Sequence, residues 1–413
     1  MKRIIPSRPD WFLSCLRSKD EIHSFGSITI HQGGRLNEML HKSFRALLFT
    51  LLIILVFGLF AGPAVFAQEP DWQPQRTWVF IVGTLKWKHS DVFSSFPQKN
   101  RRDAQLVDFF QQQGVPADQL VYLQDAQATT RQVKSSFSAF LSQAREGDLL
   151  FLYYCGHGYK SDDGRTTYFA TYDATDDVPG WSTDSIVRDI EKYFKGSRAF
   201  LAADSCYSGS LAEQARKMRR QISYASLTSA SASELSTENW TFTEMLLAGL
   251  RGKAFADING DGRVTLGELA QDVSADMVFA EEQQSEFVAT GKFPPGTVMA
   301  VAPQKSNPEI SRRVEVKSEG AWYKARIIDA RAGRFRVHYF GWEDSDDEWI
   351  LPNQIRKMSR LEYGVGAMVE VNWKGQWYSA QVLKLDRGEH LIHYVGYDGS
   401  WDEWVSSKRI RRP

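Results

Sequence analysis

Cysteine is scarce in this chain. Three occur in 413 residues, and one of them, Cys15, lies within the first 67 residues. The remaining pair, Cys155 and Cys206, excludes a disulfide-stabilised scaffold, and a cross-link between the two would block either thiol as a nucleophile. An excess of charge of one sign is also absent, because 50 basic residues balance 50 acidic ones. This balance gives no indication of a nucleic-acid-binding protein.

Residues 1–67 are predicted to form a leader. Lys42 and Arg45 precede the apolar stretch 46–60, and Ala64 and Ala67 supply the small residues of a cleavage site before Gln68, which is the order of a signal peptide. Two alternatives are open. In one, translation starts at Met39 and residues 1–38 are not part of the protein. In the other, the uncharged segment 46–67 stays as a membrane anchor. In each case the preceding basic residues predict an exported protein that is periplasmic, extracellular or anchored facing outward.

Two short apolar runs are each followed by a chemically reactive residue. The run 149–154 leads to His157, and the run 199–203 leads to Cys206. Such nearly continuous apolar runs are typical of strands buried on both faces of a parallel sheet. Because ligands of open α/β sheets bind beyond the carboxyl ends of the strands, we predict an α/β domain in which both residues share one crevice.

His157 and Cys206 are the residue types that a cysteine peptidase requires. A neutral imidazole can take the thiol proton and later return it to the leaving amine. Gly158 lets the backbone approach a substrate closely, and its N–H is a candidate donor to an oxyanion. Between residue 67 and the C-terminal repeats, the other histidine is His89 and the other cysteine is Cys155. Cys155 closes an apolar strand, so we interpret it as a small core residue.

The motifs Tyr-Tyr-Cys-Gly-His-Gly and Asp-Ser-Cys-Tyr-Ser-Gly resemble those of caspase-like cysteine peptidases, in particular metacaspases and their bacterial relatives. The likeness covers residues 76–302. It implies a caspase-like, mostly parallel sheet flanked by helices, with His157 as general base and Cys206 as nucleophile. The chain departs from the family at Cys155, where a small hydroxyl residue is common, and this departure adds a second thiol near the pair.

Asp204, two residues before Cys206, is expected to set the substrate preference. Metacaspase-like members carry Asp here and caspases proper do not, which implies a pocket for Arg or Lys on the acyl side of the scissile bond. A carboxylate at the base of a slot pairs well with a guanidinium or ammonium group. The alternative is that Asp204 braces its loop through hydrogen bonds to the backbone.

A basic segment after Cys206 is a candidate for self-cleavage. Caspase-like zymogens are similar in carrying a cleavable linker there, and a pocket built on Asp204 accepts basic residues. The alternative is a helix over 211–220 with a solvated basic face. The candidate cleavage sites follow Arg216, Lys217, Arg219 and Arg220.

An Asp-rich segment has the spacing of an EF-hand calcium loop, with Gly262 at the sharp turn. Ca²⁺ is therefore an expected cofactor, and no organic cofactor is expected. The alternative is a hydrogen-bonded turn that caps the next helix, as in similar loops of bacterial caspase-like chains. The candidate ligands at positions one, three, five, seven, nine and twelve are Asp257, Asn259, Asp261, the Arg263 carbonyl, Thr265 and Glu268.

The C-terminal hundred residues are a duplication with an offset of 55, so that Trp322 recurs as Trp377 and His338 as His393. Alternating apolar and polar residues between Gly, Asp and Ser turns predict two small SH3-like β-barrels. These copies, at 312–358 and 367–413 after a linker at 303–311, resemble Tudor-knot and chromo-barrel modules.

Two interpretations of the barrels are open. The resemblance implies that an exposed aromatic cluster holds a methylated ammonium group by cation–π attraction. We favour the second, in which most of the aromatic residues form the cores and the surface binds a protein or envelope partner, since an exported chain rarely meets histone tails.

These features together predict an exported cysteine endopeptidase that acts on proteins or peptides after Arg or Lys, with its peptidase domain at 68–302. The alternative is a binding protein whose barrels carry the function and whose caspase-like domain is inactive. The presence of both His157 and Cys206 argues against that alternative.

Overall fold

The computed structural model describes residues 70–218, 221–356, 363, 366–386 and 389–411. The helices of this part are α1 (Arg102–Gln112), α2 (Thr130–Leu141), α3 (Thr183–Tyr193), α4 (Gly209–Lys217), α5 (Thr241–Leu250) and α6 (Leu266–Asp276), which continues into a π-helical turn (Met277–Glu281). The strands of the peptidase domain are β1 (Thr77–Gly83), β2 (Leu120–Gln124), β3 (Leu149–Cys155), β4 (Gly158–Lys160), β5 (Thr167–Phe169), β6 (Trp181–Ser182), β7 (Arg198–Asp204), β8 (Ser223–Thr228), β9 (Arg263–Thr265), β10 (Glu286–Ala289) and β11 (Val298–Val301).

The peptidase domain is built on a six-stranded sheet in the order β10-β8-β7-β3-β1-β2. All neighbours in this sheet are parallel except β10, which pairs with β8 in the antiparallel direction. A small antiparallel sheet of β4, β5 and β6 follows β3, and β9 pairs with β11. The predicted α/β class and the mostly parallel sheet are confirmed.

The sheet is covered on both faces because its central strands, β1, β3 and β7, are apolar over most of their length. Along β3, for example, Phe151 faces a core that includes Phe110 of α1 and Leu246 of α5. Leu152 faces the opposite core, which includes Phe137 of α2. This arrangement is the helix–sheet–helix layering that continuous apolar strands favour.

The two C-terminal repeats are curled five-stranded antiparallel sheets, which we call barrel 1 (residues 313–356) and barrel 2 (residues 366–411). Their strand orders correspond, β15-β14-β13-β12-β16 and β20-β19-β18-β17-β21. The strands are β12 (Arg313–Ser318), β13 (Ala321–Arg331), β14 (Arg334–Tyr339), β15 (Glu348–Ile350) and β16 (Ile355–Arg356), then β17 (Met368–Trp373), β18 (Gln376–Asp386), β19 (Glu389–Tyr394), β20 (Glu403–Ser406) and β21 (Ile410–Arg411).

Barrel 1 is joined to the peptidase domain by buried charges. Arg326 of β13 is fully buried and donates to both Asp272 and Asp276 of α6. Arg313 of β12 donates to the same two carboxylates, with a distance of 2.7 Å from its Nε to Asp276 Oδ1. The predicted linker is also packed, since the Ser311 hydroxyl donates to the Phe255 carbonyl at 3.0 Å.

Candidate active site

The sheet brings the predicted pair of reactive residues to one edge. β3 and β7 are parallel neighbours, and their last residues, Cys155 and Asp204, lie opposite each other. His157 follows β3 by two residues, and Cys206 follows β7 by two residues. Both therefore lie beyond the carboxyl ends of adjacent strands, where open α/β sheets place their sites.

Gly158 lies directly against the backbone of Cys206. A Cβ atom at position 158 would be 2.0 Å from the Cys206 carbonyl oxygen, so a side chain there is incompatible with this approach. Burial raises the pKa of the Cys206 thiol, and the backbone N–H groups of Ser236, Cys206 and Gly158 oppose that rise. Two of these N–H groups, those of Cys206 and Gly158, therefore lie close to Sγ.

The His157 ring is enclosed by aromatic side chains from the segment after β1. Its centroid lies 4.4 Å from that of Phe96, 4.6 Å from that of Trp87 and 5.5 Å from that of Phe93. Burial lowers the pKa of His157, although the Ser94 carbonyl and the charge of Glu238 act in the opposite direction. The imidazole is therefore held in its neutral form near pH 7.

The hydrogen bond of His157 fixes its tautomer. Nε2 lies 2.9 Å from the carbonyl oxygen of Ser94, which can only accept, so Nε2 carries the proton. Nδ1 is then the basic nitrogen. Sequence reasoning missed Trp87, Ser94 and Phe96, and the only signal was a concentration of aromatic residues between β1 and α1.

Cys206 is held by the segment that precedes α5. Its Sγ accepts the N–H of Ser236 at 3.2 Å, and the N–H of Tyr207 donates to the Glu234 carbonyl at 2.8 Å. Tyr207 has a φ of 58°, a left-handed conformation that is costly for a non-glycine residue. Within the described residues no hydrogen bond joins Cys206 Sγ to the His157 ring. The thiol is therefore a hydrogen-bond acceptor from Ser236 in this arrangement.

Gln283 braces that segment from the turn after α6. Its carboxamide nitrogen donates to the Ser229 carbonyl and to the Ser236 hydroxyl, and its oxygen accepts the N–H of Thr237 at 3.0 Å. Ser236 and Gln283 were also missed from the sequence, because their role depends on how two distant loops pack.

Asp204 is a partly buried carboxylate at the end of β7. Burial raises its pKa to about 6, and hydrogen bonds from Thr243 and Ser229 limit the rise. The distance from Thr243 Oγ1 to Asp204 Oδ2 is 2.6 Å. The nearby charge of Glu281 also raises the pKa. Among the described residues no basic side chain forms an ion pair with Asp204, so this partly buried carboxylate stands without a counter-ion.

Cys155 is buried at the end of β3, as expected for a core residue, and both Cys155 and Cys206 are free thiols. Burial raises the pKa of Cys155, with the charge of Asp103 adding to the effect. Its thiol is therefore protonated and unreactive near neutral pH.

In the predicted calcium loop, Glu268 is engaged by N–H groups. Its Oε1 accepts from Ile258 and Asn259, each at 3.1 Å, and its Oε2 accepts the N–H and the hydroxyl of Thr265 at 3.0 and 2.8 Å. Thr265 and Glu268 form a capping box at the start of α6.

Asp257 is engaged in the same way, since it accepts the N–H groups of Gly260 at 2.7 Å and Gly262 at 2.9 Å. In the described part of the chain, Asp257, Asp261 and Glu268 do not form a group whose ligand oxygens all lie within 4.8 Å of one another. These contacts fit the hydrogen-bonded turn, and calcium binding stays a prediction.

A different cluster has ligand-type atoms within 4.8 Å of one another: Glu244 of α5 with His338 and Asp344 of barrel 1. The guanidinium of Arg102 lies in this cluster, 2.7 Å from Glu244 Oε1 and 3.8 Å from Asp344 Oδ1. Because a guanidinium is permanently charged, the cluster is an ion-pair network and does not suit a metal ion.

Two of the candidate cleavage sites, Arg216 and Lys217, lie in the last turn of α4. Arg216 Nη2 is 2.8 Å from Glu286 Oε1. The predicted helix thus ends at Lys217, and Arg219 and Arg220 lie outside the described residues. The leader also lies outside them, and over the described residues no helix is long and apolar enough to cross a membrane.

Residues 106–215 match the family model of the metacaspase peptidase C14 domain. This part of the chain is therefore similar to the metacaspase-type peptidase domains. The match includes His157 and Cys206, so the resemblance read from the motifs is confirmed. Residues 363–412, which include barrel 2, match the Tudor-knot model, described as an RNA-binding knot of a chromodomain.

Several solved structures are similar to parts of the chain. A structural-genomics target from Geobacter sulfurreducens is 15% identical, with a TM-score of 0.40, and covers 55% of this chain and 100% of its own. Caspase-1 from Spodoptera frugiperda is 10% identical, with a TM-score of 0.38, and the match covers 60% of this chain and 96% of the caspase-1 chain. A segment of Arabidopsis thaliana AGDP1 is 18% identical, with a TM-score of 0.12, and the match covers 25% of this chain and 82% of the AGDP1 segment. No curated protein matches the sequence.

Proposed function

We propose that this protein is a cysteine endopeptidase in which Cys206 is the nucleophile and His157 the general base. The observation that carries the proposal is the approach of the Gly158 backbone to Cys206, which sets two N–H donors beside the thiol at the edge where His157 also lies. The metacaspase-type domain supports the same chemistry.

The reaction begins with both groups neutral, because the pKa of the thiol is raised and that of the imidazole is lowered. Nδ1 of His157 takes the thiol proton as Sγ attacks the substrate carbonyl carbon. The N–H groups of Cys206 and Gly158 stabilise the resulting oxyanion. His157 then gives its proton to the leaving amine, which yields an acyl-enzyme, and water activated by the same nitrogen releases the acid and regenerates the thiol.

The contact from Ser236 to Sγ must be exchanged before this reaction. Proton transfer also requires the His157 ring and Cys206 to come within hydrogen-bonding distance, about 3 Å. We propose that substrate binding in the crevice drives this exchange. The entering carbonyl group competes for the space next to Sγ and displaces the 229–240 segment from it.

We propose Asp204 as the group that selects Arg or Lys before the scissile bond. A partly buried carboxylate without a counter-ion is unfavourable, and a basic side chain of the substrate that covers it and pairs with it removes that cost. The like charge of Glu281 increases the attraction for a cation. The hydrogen bond from Thr243 orients the carboxylate without neutralising it.

The dyad is tested by replacing its members one at a time. Cys206→Ala and His157→Ala should each reduce kcat/KM on a peptide ending in Arg by about 10⁴-fold or more, since thiol and imidazole act as a unit. Cys155→Ala is the matched control, and it should keep the activity because that thiol is buried away from substrate. Full turnover by Cys206→Ala would overturn the proposal in favour of an inactive scaffold that binds through its barrels.

The selectivity is tested with Asp204→Asn, which keeps the shape and removes the charge. We expect kcat/KM for substrates ending in Arg to fall about a hundredfold, as when one partner of a buried charge pair is removed, while a substrate ending in Gln changes little. Thr243→Val, which removes only the orienting hydroxyl, is a control with a smaller expected loss. An unchanged preference for Arg in Asp204→Asn contradicts the pocket.

The remaining expectations extend this proposal. Self-cleavage after Arg219 or Arg220 suits the position beyond α4 better than cleavage inside the helix, where Arg216 is ion-paired. We propose an exported enzyme that acts on proteins or peptides, carries barrels that contact a protein or envelope partner rather than nucleic acid, and binds Ca²⁺ at the 257–268 loop.

A further inference from the structure

A large open cleft lies between the peptidase domain and barrel 2. Its volume is about 1040 Å³. One wall comes from the peptidase domain, with the β4–β5 hairpin, α4 and the segment 231–234. The other wall comes from barrel 2, with Trp373, Tyr394 and residues 400–403. The candidate dyad is not part of this lining, so the cleft is a separate feature of the surface.

The near end of the cleft adjoins Cys206. Lys160 and Glu234 line the cleft, and both contact Tyr207, the residue after the candidate nucleophile. The Lys160 ammonium lies 4.8 Å from the centre of the Tyr207 ring, and the Glu234 carbonyl accepts the Tyr207 N–H. The cleft therefore begins beside the residue that follows Cys206, within reach of a polypeptide bound in the crevice.

Barrel 2 carries a cluster of five aromatic rings, three of which line the cleft. Two of the five have no aromatic counterpart in barrel 1. Successive rings lie 5.6 to 6.4 Å apart, and Trp401 is 48% exposed and Tyr397 is 44% exposed. At the offset of 55, Trp373 and Trp401 correspond to Ser318 and Asp346 of barrel 1. The cluster consists of Trp373, Tyr378, Tyr394, Tyr397 and Trp401.

The charges of the lining favour a cationic occupant. Of its four basic side chains, Arg216 is paired with Glu286 and Lys160 is stacked on Tyr207. Carboxylates outnumber them. At the aromatic wall Asp402 is paired with His393 and Glu403 with Arg409, whereas Glu213 and Glu234 form no ion pair among the described residues. Exposed aromatic faces attract ammonium and guanidinium groups, whereas carboxylates repel phosphate. The acidic residues of the lining are Asp184, Glu213, Glu234, Glu286, Asp402 and Glu403.

We propose that this cleft is an exosite for the substrate polypeptide, in which a Lys or Arg several residues from the scissile bond packs on the aromatic cluster of barrel 2. The inference rests on the proposed peptidase function and adds a second recognition point to it. Barrel 2 then acts as a specificity element of the enzyme, and a protein substrate needs two basic sites, one at Asp204 and one at the cleft.

The binding test uses the full chain with Cys206→Ala, which cannot turn over its ligand. A fluorescent 16-residue peptide with one Arg at the scissile position and further Lys residues on both sides should bind about tenfold more weakly when Trp373→Ser and Trp401→Asp copy barrel 1. The same loss is expected when the flanking Lys residues become Gln. The matched control, Trp322→Ser in barrel 1, should bind like the parent protein, and melting temperatures verify folding.

The activity test separates the two proposals. In the active enzyme, Trp373→Ser with Trp401→Asp should raise KM for the long peptide about tenfold and leave kcat/KM for a three-residue reporter unchanged. Equal binding of the long peptide by parent and variant overturns the exosite while the peptidase assignment stands. If the active parent enzyme does not cleave the reporter, the peptidase proposal is contradicted. The exosite is then still tested by the peptide-binding measurement. Tighter, Trp401-dependent binding of a single-stranded RNA of similar length also overturns the proposal.

Discussion

Barrels 1 and 2 share a sequence pattern, a strand order and an offset of 55, yet they meet the peptidase domain in different ways. Barrel 1 inserts two arginines, Arg313 and Arg326, between the carboxylates of α6. At the corresponding positions barrel 2 carries Met368 and Gln381. Barrel 1 is thus fixed to the peptidase domain through buried charges, whereas barrel 2 presents an open aromatic face.

The contacts of barrel 2 are more exposed. Lys408 lies 3.9 Å from Glu282, and both side chains are about half exposed to solvent, so this pair contributes little to stability. A buried ion pair differs because removing one partner leaves the other charge without solvent or counter-ion. The two copies thus have the same fold but different attachments. The buried ion pairs with α6 fix barrel 1 to the peptidase domain, and barrel 2 has no such pairs at the corresponding positions.

The largest expected effect comes from Arg326. Arg326→Ala leaves Asp272 and Asp276 with fewer compensating charges in a buried site, so we expect the free energy of unfolding to fall by about 3–5 kcal/mol. Denaturant unfolding measures this loss. Gln381→Ala, at the corresponding position of barrel 2, should change stability by about 0.5 kcal/mol or less. Similar losses in both variants would show that the two barrels are attached alike.

The second effect is a pH dependence specific to barrel 1. Burial opposes the charge of His338, but its contacts with Asp347 at 2.7 Å and Glu244 at 3.0 Å prevail and raise its pKa to about 9. Since the unfolded value is about 6.5, the charged His338 stabilises the fold fully below pH 6.5, and this contribution is lost as the pH rises through 9.

His338→Gln should therefore cost about 2–3 kcal/mol near pH 6 and much less at pH 10, as measured by thermal unfolding across that range. His393→Gln in barrel 2 is the matched control, because His393 pairs with Asp402 at 2.6 Å on a partly exposed surface. A flat pH profile for the difference between the wild type and His338→Gln contradicts the buried ion pair.

The smallest effect concerns calcium. The 257–268 loop leads into α6, which carries the carboxylates that hold barrel 1, so binding there should stabilise barrel 1 and not barrel 2. At a calcium concentration a few times Kd the gain is about 1 kcal/mol. Hydrogen exchange should slow in β12 and β13 and stay unchanged in β17 and β18. Glu268→Gln is the control, and slowing that persists in this variant excludes the loop as the site.

The strands and the edge that carries Cys206 could be predicted because buried parallel strands leave a simple signature of continuous apolar residues. The enclosure of His157 could not, because Trp87 and Phe96 come from a loop whose path depends on tertiary packing. The burial of Arg326 could not be predicted from the sequence for a related reason. A charged residue in an alternating strand indicates a solvent-facing position, and only the approach of α6 makes it interior.

The indole ring of Trp87 packs against His157, so the fluorescence of Trp87 reports on the protonation state of His157. The indole and imidazole centroids are 4.6 Å apart, so a positive charge on the imidazole alters the emission of that indole. The fluorescence difference between the wild type and Trp87→Phe therefore follows the charge of His157 as pH is lowered through its depressed pKa. The same signal responds when a ligand moves the ring, so the occupancy of the crevice can be followed without a label or a substrate.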